Sequence, residues 1–484
     1  MILSNLIYLT PEIFVAIGSL LMLMYGAFNR QLSVIRASNL TAIILCFALG
    51  MTLTSVHQVA SLFSGQFIAD SFSQYLKIAI LGGAALVLLS TRSTLYQDHI
   101  HQTEYTSLIL LSVIGMMLMV SANSYLTLFV GLELQSLSLY IMTALKRDDV
   151  RASEAGVKYF ILGALSTGLL LFGISFIYGA TGSLLFGDTS AMIAKEGMTL
   201  SLSIGLVFII AGLLFKISSA PFHMWTPDIY QGTPTSITTF LSTIPKLAAF
   251  ALISRVLITS FGEGHAFWSQ ILMVLSIITM LVGSLAALVQ KNIKRFLAYS
   301  TIANGGYALI GLIAGGQSGV QSILIYVSLY IVAMLGVFSC LSNLNRRGFD
   351  VEDIQDIAGI NRVFPSTAFA MTFFLFSMAG VPPLAGFLGK LYVFNEAIKA
   401  GQISLAVIGV LTSVISAAYY LWVIKVIMMD PLDESRWRVT ESYKRDSGSS
   451  MVIALSVIFL ILFFIKPGVF IPYYSEAASS LFIR

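Results

Sequence analysis

The sequence predicts an all-α integral membrane protein with about 14 transmembrane helices and no sizeable soluble domain. Of its 484 residues, 57% are hydrophobic and only 10% are charged, whereas soluble domains average about 25% charged residues. The apolar residues fall in runs long enough to cross a bilayer. Two of these runs are interrupted by proline near a lysine: Lys216 with Pro221, and Lys390 with Pro382 and Pro383.

Fourteen apolar windows define the predicted spans. The first window has no basic leader and no small-residue cleavage site, so we interpret it as a retained span rather than a signal peptide. The twelfth window is unusually long, which predicts a helix broken at residues 380–383. In order, the windows are 7–28, 40–59, 72–89, 106–120, 124–145, 156–179, 200–218, 235–257, 268–289, 296–314, 320–341, 365–397, 403–428 and 451–470.

The basic residues predict the topology of the chain. If the N-terminus is outside, the inner loops hold most of the Lys and Arg residues, as the positive-inside rule requires. The inner loops then contain Arg30, Arg36, Arg92, Lys146, Arg147, Arg151, Lys291, Lys294, Arg295, Arg346, Arg347, Arg362, Arg436, Arg438, Lys444 and Arg445. The outer loops contain only Lys195, Lys399, Lys466 and Arg484. The remaining basic residues lie in or at the edge of spans: Lys77, Lys158, Lys216, Lys246, Arg255, Lys390 and Lys425.

The two interrupted spans stand five spans apart. A repeat of five spans reverses its orientation in the membrane, so the pattern indicates two inverted repeats, as in transporters with sites near the midplane. The expected division is an N-terminal three-helix segment (1–105), a first repeat with helices 4–8 (106–260), a second repeat with helices 9–13 (261–430), and an inner loop with the last helix (431–484).

The stretch from 213 to 250 contains the strongest candidates for proton chemistry. Lys216 lies where the seventh helix must break, and Lys246 in the next span could approach it. A buried lysine releases its proton more readily than an exposed one, which suits a proton carrier. His223 titrates near neutrality and could relay between the two lysines, although a structural histidine fits equally well.

Carboxylates and a further lysine extend this set. Glu133, in the middle of the fifth span, could modulate the proton affinity of a lysine from a neighbouring helix, or form a static salt bridge that clamps two helices. Glu154 and Lys158 are spaced i,i+4 and predict an intrahelical ion pair. Lys390 lies seven residues beyond Pro383. By the same argument as for Lys216, it is the candidate proton carrier of the second interrupted span. Snorkelling to the interface is the alternative for each lysine, and it suits Lys425 and Lys77 best.

Several other functions have little support in the sequence. The two cysteines, Cys46 and Cys340, form neither a disulfide framework nor a metal motif. The other four histidines fall in or next to loops, so His223 alone lies deep in the chain and no haem ligand pair is available. The cysteines are not clustered as iron–sulfur ligation requires. The net charge of +4 does not indicate nucleic-acid binding, because the basic residues flank the membrane. Trp225 and Trp268 are interpreted as interfacial anchors.

Five segments resemble the antiporter-like membrane subunits of respiratory complex I, and the resemblance covers nearly the whole chain. They are VGLELQSLSLYIMTALKR (130–147), SEAGVKYFILGALSTGLLLFGISFIYGATG (153–182), LLFKISSAPFHMWTPDIYQGTPT (213–235), KRFLAYSTIANGGY (294–307) and AGVPPLAGFLGK (379–390). The resemblance implies 14 helices, two inverted five-helix repeats, discontinuous helices 7 and 12, and one half-channel in each repeat.

The resemblance also implies a role for each candidate residue. Glu133 would modulate Lys216, Lys246 would connect to Lys216 with His223 between them, and Lys390 would serve the second half-channel. Glu154 and Lys158 match the sixth-helix pair of the family. No cofactor is expected in this chain. NADH, FMN, iron–sulfur clusters and quinone are expected in partner subunits, and the partners themselves are other complex I membrane subunits, including sister antiporter-like subunits, together with membrane lipid.

The sequence therefore predicts a proton-translocating membrane subunit of a redox-driven pump, in a bacterial inner membrane with its N-terminus outside. A mitochondrial inner membrane also fits. One alternative is a standalone cation/proton antiporter, although few carboxylates are available for a cation. Another is a structural subunit without pumping, which the buried lysines disfavour. A cofactor-dependent membrane enzyme is the least supported alternative.

Overall fold

The computed structural model describes residues 7–29, 33–54, 59–98, 100, 103–345, 351–433, 437 and 446–482. Within these ranges, eleven helices are long and apolar enough to cross a membrane. Three shorter apolar helices, Glu104–Val120, Leu200–Lys216 and Pro365–Ala379, account for the fourth, seventh and twelfth spans. The prediction of an all-α membrane protein with about 14 spans is confirmed. The basic residues at 30, 346, 347, 436, 438, 444, 445 and 484 lie outside the described residues, and the orientation of the N-terminus stays a prediction.

The spans are numbered here in chain order. They are Thr10–Phe28, Val34–Leu53, Ser71–Gln97, Glu104–Val120, Tyr125–Thr143, Val150–Thr181, Leu200–Lys216 with Trp225–Gly232, Thr235–Leu241 with Ile244–Arg255, His265–Leu288, Ile293–Ala314, Gly316–Leu344, Pro365–Ala379 with Ala385–Lys399, Ile403–Met429, and Ser447–Ile465. The seventh, eighth and twelfth spans therefore each consist of two helices.

The breaks in the seventh and twelfth spans lie where the sequence predicts them. The first helix of the seventh span ends at Lys216, and the first helix of the twelfth span ends at Ala379. Gly380 follows with a φ of +82°, a conformation that glycine adopts without strain. A Cβ atom on Gly380 would also lie 2.8 Å from Cδ of Lys390, so glycine makes room for the lysine chain.

The break in the eighth span is absent from the sequence prediction. Its helix stops at Leu241 and restarts at Ile244, with Pro245 in the first turn of the new helix. Proline is tolerated there because the first turn has no intrahelical partner for its missing N–H. A wider turn, Val256–Ser260, follows Arg255 at the other end of the span.

In the described part of the chain, two strands and two α-helices lie between or beyond the spans, besides short 3₁₀ helices at Ile7–Leu9, Gly262–Gly264, Ile354–Ile357 and Ile360–Arg362. The strands Ala60–Leu62 and Phe67–Ala69 pair antiparallel as a hairpin between the second and third spans. The helix Phe186–Glu196 lies between the sixth and seventh spans. The predicted end of the last span, at residue 470, is wrong: the span ends at Ile465, and Pro467 begins a separate helix, Pro467–Ser480, because proline suits the start of a helix.

The centre of the molecule is formed by the eighth, tenth and eleventh spans. Their apolar windows are 100%, 94% and 89% buried, whereas those of the first, second, sixth, ninth, thirteenth and fourteenth spans are 39% buried. A helix that is buried on all sides is surrounded by protein rather than lipid. Polar side chains on the central spans are therefore shielded from the hydrocarbon of the bilayer.

Candidate functional site

Lys216 lies at the end of a half-helix, where its ammonium group is held by hydroxyl groups of the fifth span. The residue is 8% exposed. Its Nζ donates hydrogen bonds to Ser136 Oγ at 2.7 Å and to Tyr140 Oη at 3.3 Å. Neutral hydroxyls thus solvate the ammonium group in place of water.

Glu133 lies on the same fifth span, three residues before Ser136. Among the described residues it forms no ion pair with Lys216, so the static clamp that the sequence left open is not formed. The carboxylate is close enough to Lys216 for a coulombic interaction. Glu133 can therefore act on the lysine through space without fixing it in place.

Lys246 reaches directly into the break of the seventh span. Its Nζ donates to the backbone carbonyl of Lys216 at 3.1 Å and also to Ser218 Oγ. The carbonyl is available because the helix ends at Lys216, and the negative end of a helix favours a cation. The ammonium group of Lys246 is thus bound to the backbone of Lys216.

His223 lies in the same break but apart from this contact. No hydrogen bond joins His223 to either lysine among the described residues, and its buried Nδ1 has no hydrogen-bond partner there. The position between the two lysines that the resemblance implies is occupied by the Lys216 carbonyl and Ser218.

Trp225 is a wall of the lysine site rather than an interfacial anchor, so that prediction is wrong. It is 3% exposed and stacks on Tyr159, with ring centroids 4.6 Å apart. The Nζ of Lys246 lies 4.6 Å from the Trp225 ring centroid, a cation–π contact. Trp268 is also buried, and its indole N–H donates to the Phe261 carbonyl at 2.9 Å.

Glu154 and Lys158 form the predicted intrahelical ion pair, with 2.6 Å between Nζ and Oε1. Both are exposed in the isolated chain, so they lie at the rim of the site rather than in its centre. Asp228, from the second half of the seventh span, accepts from Arg295 at 2.6 Å and lies 3.5 Å from Lys158. The sequence placed Asp228 in the broken segment but did not predict this cluster of four charges.

Lys390 makes at the break of the twelfth span a contact like the one that Lys246 makes at the break of the seventh span. It is 5% exposed, and its Nζ donates to the Ala379 carbonyl at 2.9 Å and to Ser413 Oγ at 2.8 Å. Ala379 is the last residue of the half-helix before the break. At both breaks a buried lysine therefore binds the carbonyl that ends the first half-helix.

Polar residues of the tenth and eleventh spans lie between Lys246 and Lys390. Tyr326 Oη donates to Asn304 Oδ1 at 2.6 Å, and Tyr330 Oη donates to Thr301 Oγ1 at 3.0 Å. Two cavities of about 10 Å³ adjoin this group, one beside Lys246 and the other beside Lys390, and Asn304, Tyr326 and Tyr330 line both. Each has room for about one water molecule. The sequence did not single out these residues, although an asparagine in an apolar span and an i,i+4 tyrosine pair were detectable signals.

Two buried ion pairs lie outside this series of lysines. Lys77 is 2.6 Å from Glu12, and both residues are at most 5% exposed. The snorkelling interpretation of Lys77 is therefore wrong, because a buried carboxylate holds it inside the protein. Arg255 donates two hydrogen bonds to Asp70, at 2.9 and 2.7 Å. Asp70 was missed because it precedes its span rather than interrupting it.

No group of three or more His, Cys, Asp or Glu side chains that could hold a metal is present in the described part of the chain. Cys340 is buried and Cys46 is exposed, and both are free thiols. The chemistry that the described site can support is proton transfer among lysines, hydroxyls and enclosed water.

Comparison with known proteins agrees with this geometry. The family model described as NADH:quinone oxidoreductase/Mrp antiporter, TM, matches residues 122–416. A relative from Parvibaculum lavamentivorans named NADH-quinone oxidoreductase subunit N is 43% identical over 461 residues, which cover 95% of this chain and 94% of the relative. A relative of the same name from Rhodospirillum rubrum is 43% identical over 480 residues and covers 97% and 96% of the two chains.

Solved structures show the same fold. A chain of respiratory complex I from Thermus thermophilus with bound aureothin has a TM-score of 0.80 at 31% identity, with 96% of this chain and 99% of that chain covered. A chain of the Mrp complex from Dietzia has a TM-score of 0.85 at 20% identity, with coverage of 100% and 98%, and shows the fold alone. This chain belongs to the NADH:quinone oxidoreductase/Mrp antiporter family of membrane subunits, within which its curated relatives are subunit N.

Proposed function

We propose that this chain is the proton-translocating subunit N of the membrane arm of bacterial NADH:quinone oxidoreductase. Curated relatives of that name match it over nearly their full length. The chain is a multi-pass protein of the bacterial inner membrane, and its partners are other membrane subunits of the complex.

One observation carries the proposal: a series of buried polar groups runs through the centre of the molecule. Lys246 binds the backbone carbonyl of Lys216, Asn304, Tyr326 and Tyr330 follow, and Lys390 closes the series. Groups that both donate and accept protons, with single waters between them, are what a proton relay needs. A purely structural subunit has no use for three buried lysines without carboxylate partners, since each costs free energy to bury.

Each predicted residue has a role in this relay. Lys216 holds a proton between Ser136 and Tyr140, and Glu133 modulates it through space. Lys246 and Lys390 are the next proton carriers. Glu154 and Lys158, with Asp228 and Arg295, form the charged rim through which protons reach the first unit. His223 is a branch of the relay at the break, and its unpartnered Nδ1 supports this role because it is available to a water.

We place the half-channels in two inverted repeats, residues 106–260 and 261–430, flanked by the segments 1–105 and 431–484. The family model matches residues 122–416, a range that includes most of both proposed repeats. Electron transfer belongs to partner subunits, which hold NADH, FMN, iron–sulfur clusters and quinone. In this proposal the chain itself moves only protons.

A standalone cation/proton antiporter is the second candidate, because the fold is similar to that of a chain of the Mrp complex. A cation carrier needs a cluster of oxygen ligands. Two of the buried carboxylates, Glu12 and Asp70, are already paired with Lys77 and Arg255. Lysine therefore dominates the central site, which favours protons over metal cations.

Affinity purification in mild detergent, followed by an NADH:quinone oxidoreductase assay on the native-gel band, tests the proposal. We expect a large assembly with that activity, and we expect Lys216→Met to lower proton transport without loss of assembly. A chain that purifies alone and transports a cation would support the antiporter instead. Unchanged proton transport in an assembled Lys216→Met complex would support the structural subunit.

A further inference from the structure

The polar group between Lys246 and Lys390 contains one side chain, Asn304, whose orientation is fixed by the backbone. Asn304 is 2% exposed and lines both of the one-water cavities. One of its amide atoms lies 2.7 Å from the Ser300 carbonyl oxygen. A backbone carbonyl can only accept a hydrogen bond, so this atom is the amide nitrogen Nδ2. The amide oxygen Oδ1 therefore faces the other way.

The orientation of Asn304 in turn fixes the hydroxyl proton of Tyr326. Tyr326 Oη lies 2.6 Å from Asn304 Oδ1, and an amide oxygen has no proton to donate. Tyr326 is therefore the donor, and its single hydroxyl proton is held on the amide. A carboxamide is not one of the side chains that take up and release protons in proteins, so the proton stops there.

Tyr330 is held in the same way by Thr301. The hydroxyl of Thr301 donates its own proton to the Leu297 carbonyl at 2.8 Å. Thr301 Oγ1 must therefore accept the hydrogen bond from Tyr330 Oη at 3.0 Å. The hydroxyl protons of both tyrosines thus point to acceptors on the tenth span.

This arrangement interrupts proton transfer between the two cavities. A hydroxyl relays a proton by accepting one on its oxygen while it releases its own proton on the other side. A cavity water that approaches Tyr326 or Tyr330 meets an oxygen whose proton is already donated elsewhere. Neither tyrosine can therefore pass a proton from the side of Lys246 to the side of Lys390 until its own hydrogen bond is broken.

We propose that Asn304 is a positioning residue that controls proton transfer between Lys246 and Lys390 by holding the Tyr326 hydroxyl. The inference rests on the proposed proton transport and adds a control point to it. When Tyr326 leaves Asn304, its proton passes to the water beside Lys390 while its oxygen takes a proton from the water beside Lys246. The hydroxyl is regenerated, and one proton has moved. Thr301 holds Tyr330 as a second control of the same kind.

Asn304→Leu tests the proposal in the assembled complex, reconstituted into proteoliposomes. Leucine has the branching of asparagine but no acceptor, and a buried donor without a partner is costly, so the Tyr326 hydroxyl binds cavity water instead. A pH gradient is imposed without NADH, and its decay is followed with a pH-sensitive dye. We expect decay about fivefold faster than in the unsubstituted complex, the population factor that one neutral hydrogen bond controls. An unchanged rate would overturn the proposal.

The double variant Asn304→Leu/Tyr326→Phe separates this effect from disturbed packing. The added proton flux depends on the Tyr326 hydroxyl, so its removal should return the decay to the unsubstituted rate. A leak through loosened packing does not need this hydroxyl. Fast decay that persists in the double variant would therefore overturn the proposal.

Thr301→Val provides an independent test, which also stands if Asn304→Leu fails to assemble. Valine keeps the shape of threonine and removes the acceptor of Tyr330, so we expect faster decay here too. Thr167→Val is the matched control, because Thr167 is a buried threonine of the sixth span whose hydroxyl donates to the Gly163 carbonyl at 3.1 Å. Equal decay in the two valine variants would overturn the role of the tyrosine acceptors.

Lys246→Met distinguishes failure of this inference from failure of the proposed function. If Lys246→Met lowers NADH-driven proton transport while Asn304→Leu leaves the passive decay unchanged, the relay stands and the control by Asn304 is overturned. If NADH-driven transport is unchanged in Lys246→Met, the relay itself is absent and both proposals are overturned.

Discussion

The ammonium group of Lys246 binds the backbone carbonyl of Lys216 at 3.1 Å, so the two lysines of the first unit are joined without an intervening side chain. The contact exists because the seventh span breaks after Lys216 and leaves that carbonyl without an intrahelical donor. Lys390 makes the equivalent contact with Ala379 in the second unit. A helix break thus provides the acceptor, and the neighbouring lysine provides the proton-carrying group.

Lys246→Met should uncouple the first unit from the second. Methionine fills similar space but cannot accept or donate a proton, so we expect proton transport in proteoliposomes to fall by about a hundredfold or more, the range for loss of a proton-transfer group. Lys425→Met is the control, because Lys425 is 55% exposed and pairs with Asp430. Equal transport in the two variants would contradict the role of Lys246.

Tyr326→Phe should interrupt the connection between Lys246 and Lys390. The change removes the hydroxyl that donates to Asn304, and leaving a buried acceptor unpaired costs about 1–3 kcal/mol. We expect slower proton transport in a complex that still assembles, measured by quenching of a pH-sensitive dye. Tyr178→Phe, at a position 53% exposed, should have no effect. The connection lies elsewhere if both variants transport protons at the unsubstituted rate.

Gly115→Ala should prevent correct packing of the fifth span. An added Cβ would lie 2.5 Å from the backbone N of Gln135 and 2.6 Å from the Gly131 carbonyl oxygen. Backbone cannot move aside as a side chain can, so the helix that carries Glu133 and Ser136 would shift. We expect a marked loss of assembled complex on native gels.

The matched control for this change is Gly168→Ala in the sixth span, where a Cβ meets nothing within 4 Å. Alanine stabilises a helix interior relative to glycine by about 0.5–1 kcal/mol, so assembly should be unchanged or improved. Normal assembly of Gly115→Ala would show that the fourth and fifth spans tolerate a wider separation.

Arg255→Met should strongly destabilise the subunit. It leaves the Asp70 carboxylate buried without its bidentate partner, and breaking a buried pair in this way costs about 3–5 kcal/mol. We expect Arg255→Met alone to lower the thermal stability of the purified complex. Combining it with Asp70→Asn removes the unpaired carboxylate, so the double variant should lose activity more slowly than Arg255→Met. Arg151→Gln, which breaks an exposed pair with Glu352, should cost at most about 1 kcal/mol. Similar thermal shifts for Arg255→Met and Arg151→Gln would refute a structural role of the buried pair.

The sequence predicted most of the span positions and both lysine-associated breaks. Long apolar runs and prolines are local features, and they act on the backbone wherever the segment lies. The i,i+4 pair of Glu154 and Lys158 was predictable for the same reason, since it depends on one helix only.

Contacts between distant segments were not predictable from these features. Asp70 meets Arg255 across 185 positions of sequence, and Asn304 is bonded to Tyr326 from a different span. The burial of Lys77 also depended on packing, because Glu12 from the first span pairs with it inside the protein. Periodicity states which face of a helix is apolar, but it does not name the neighbour of a polar residue on that face.

The amino-acid sequence by itself determined that the chain crosses the membrane many times, where two helices break, and that Lys216, Lys246 and Lys390 lie within or beside the interrupted spans. Hydrophobicity and backbone chemistry fix these features residue by residue. Only the tertiary structure decided that Lys246 binds the carbonyl of Lys216 and that tyrosines and an asparagine connect it towards Lys390. The physical reason is that a buried polar group must find its partner in space, and packing brings together residues that are far apart in the chain.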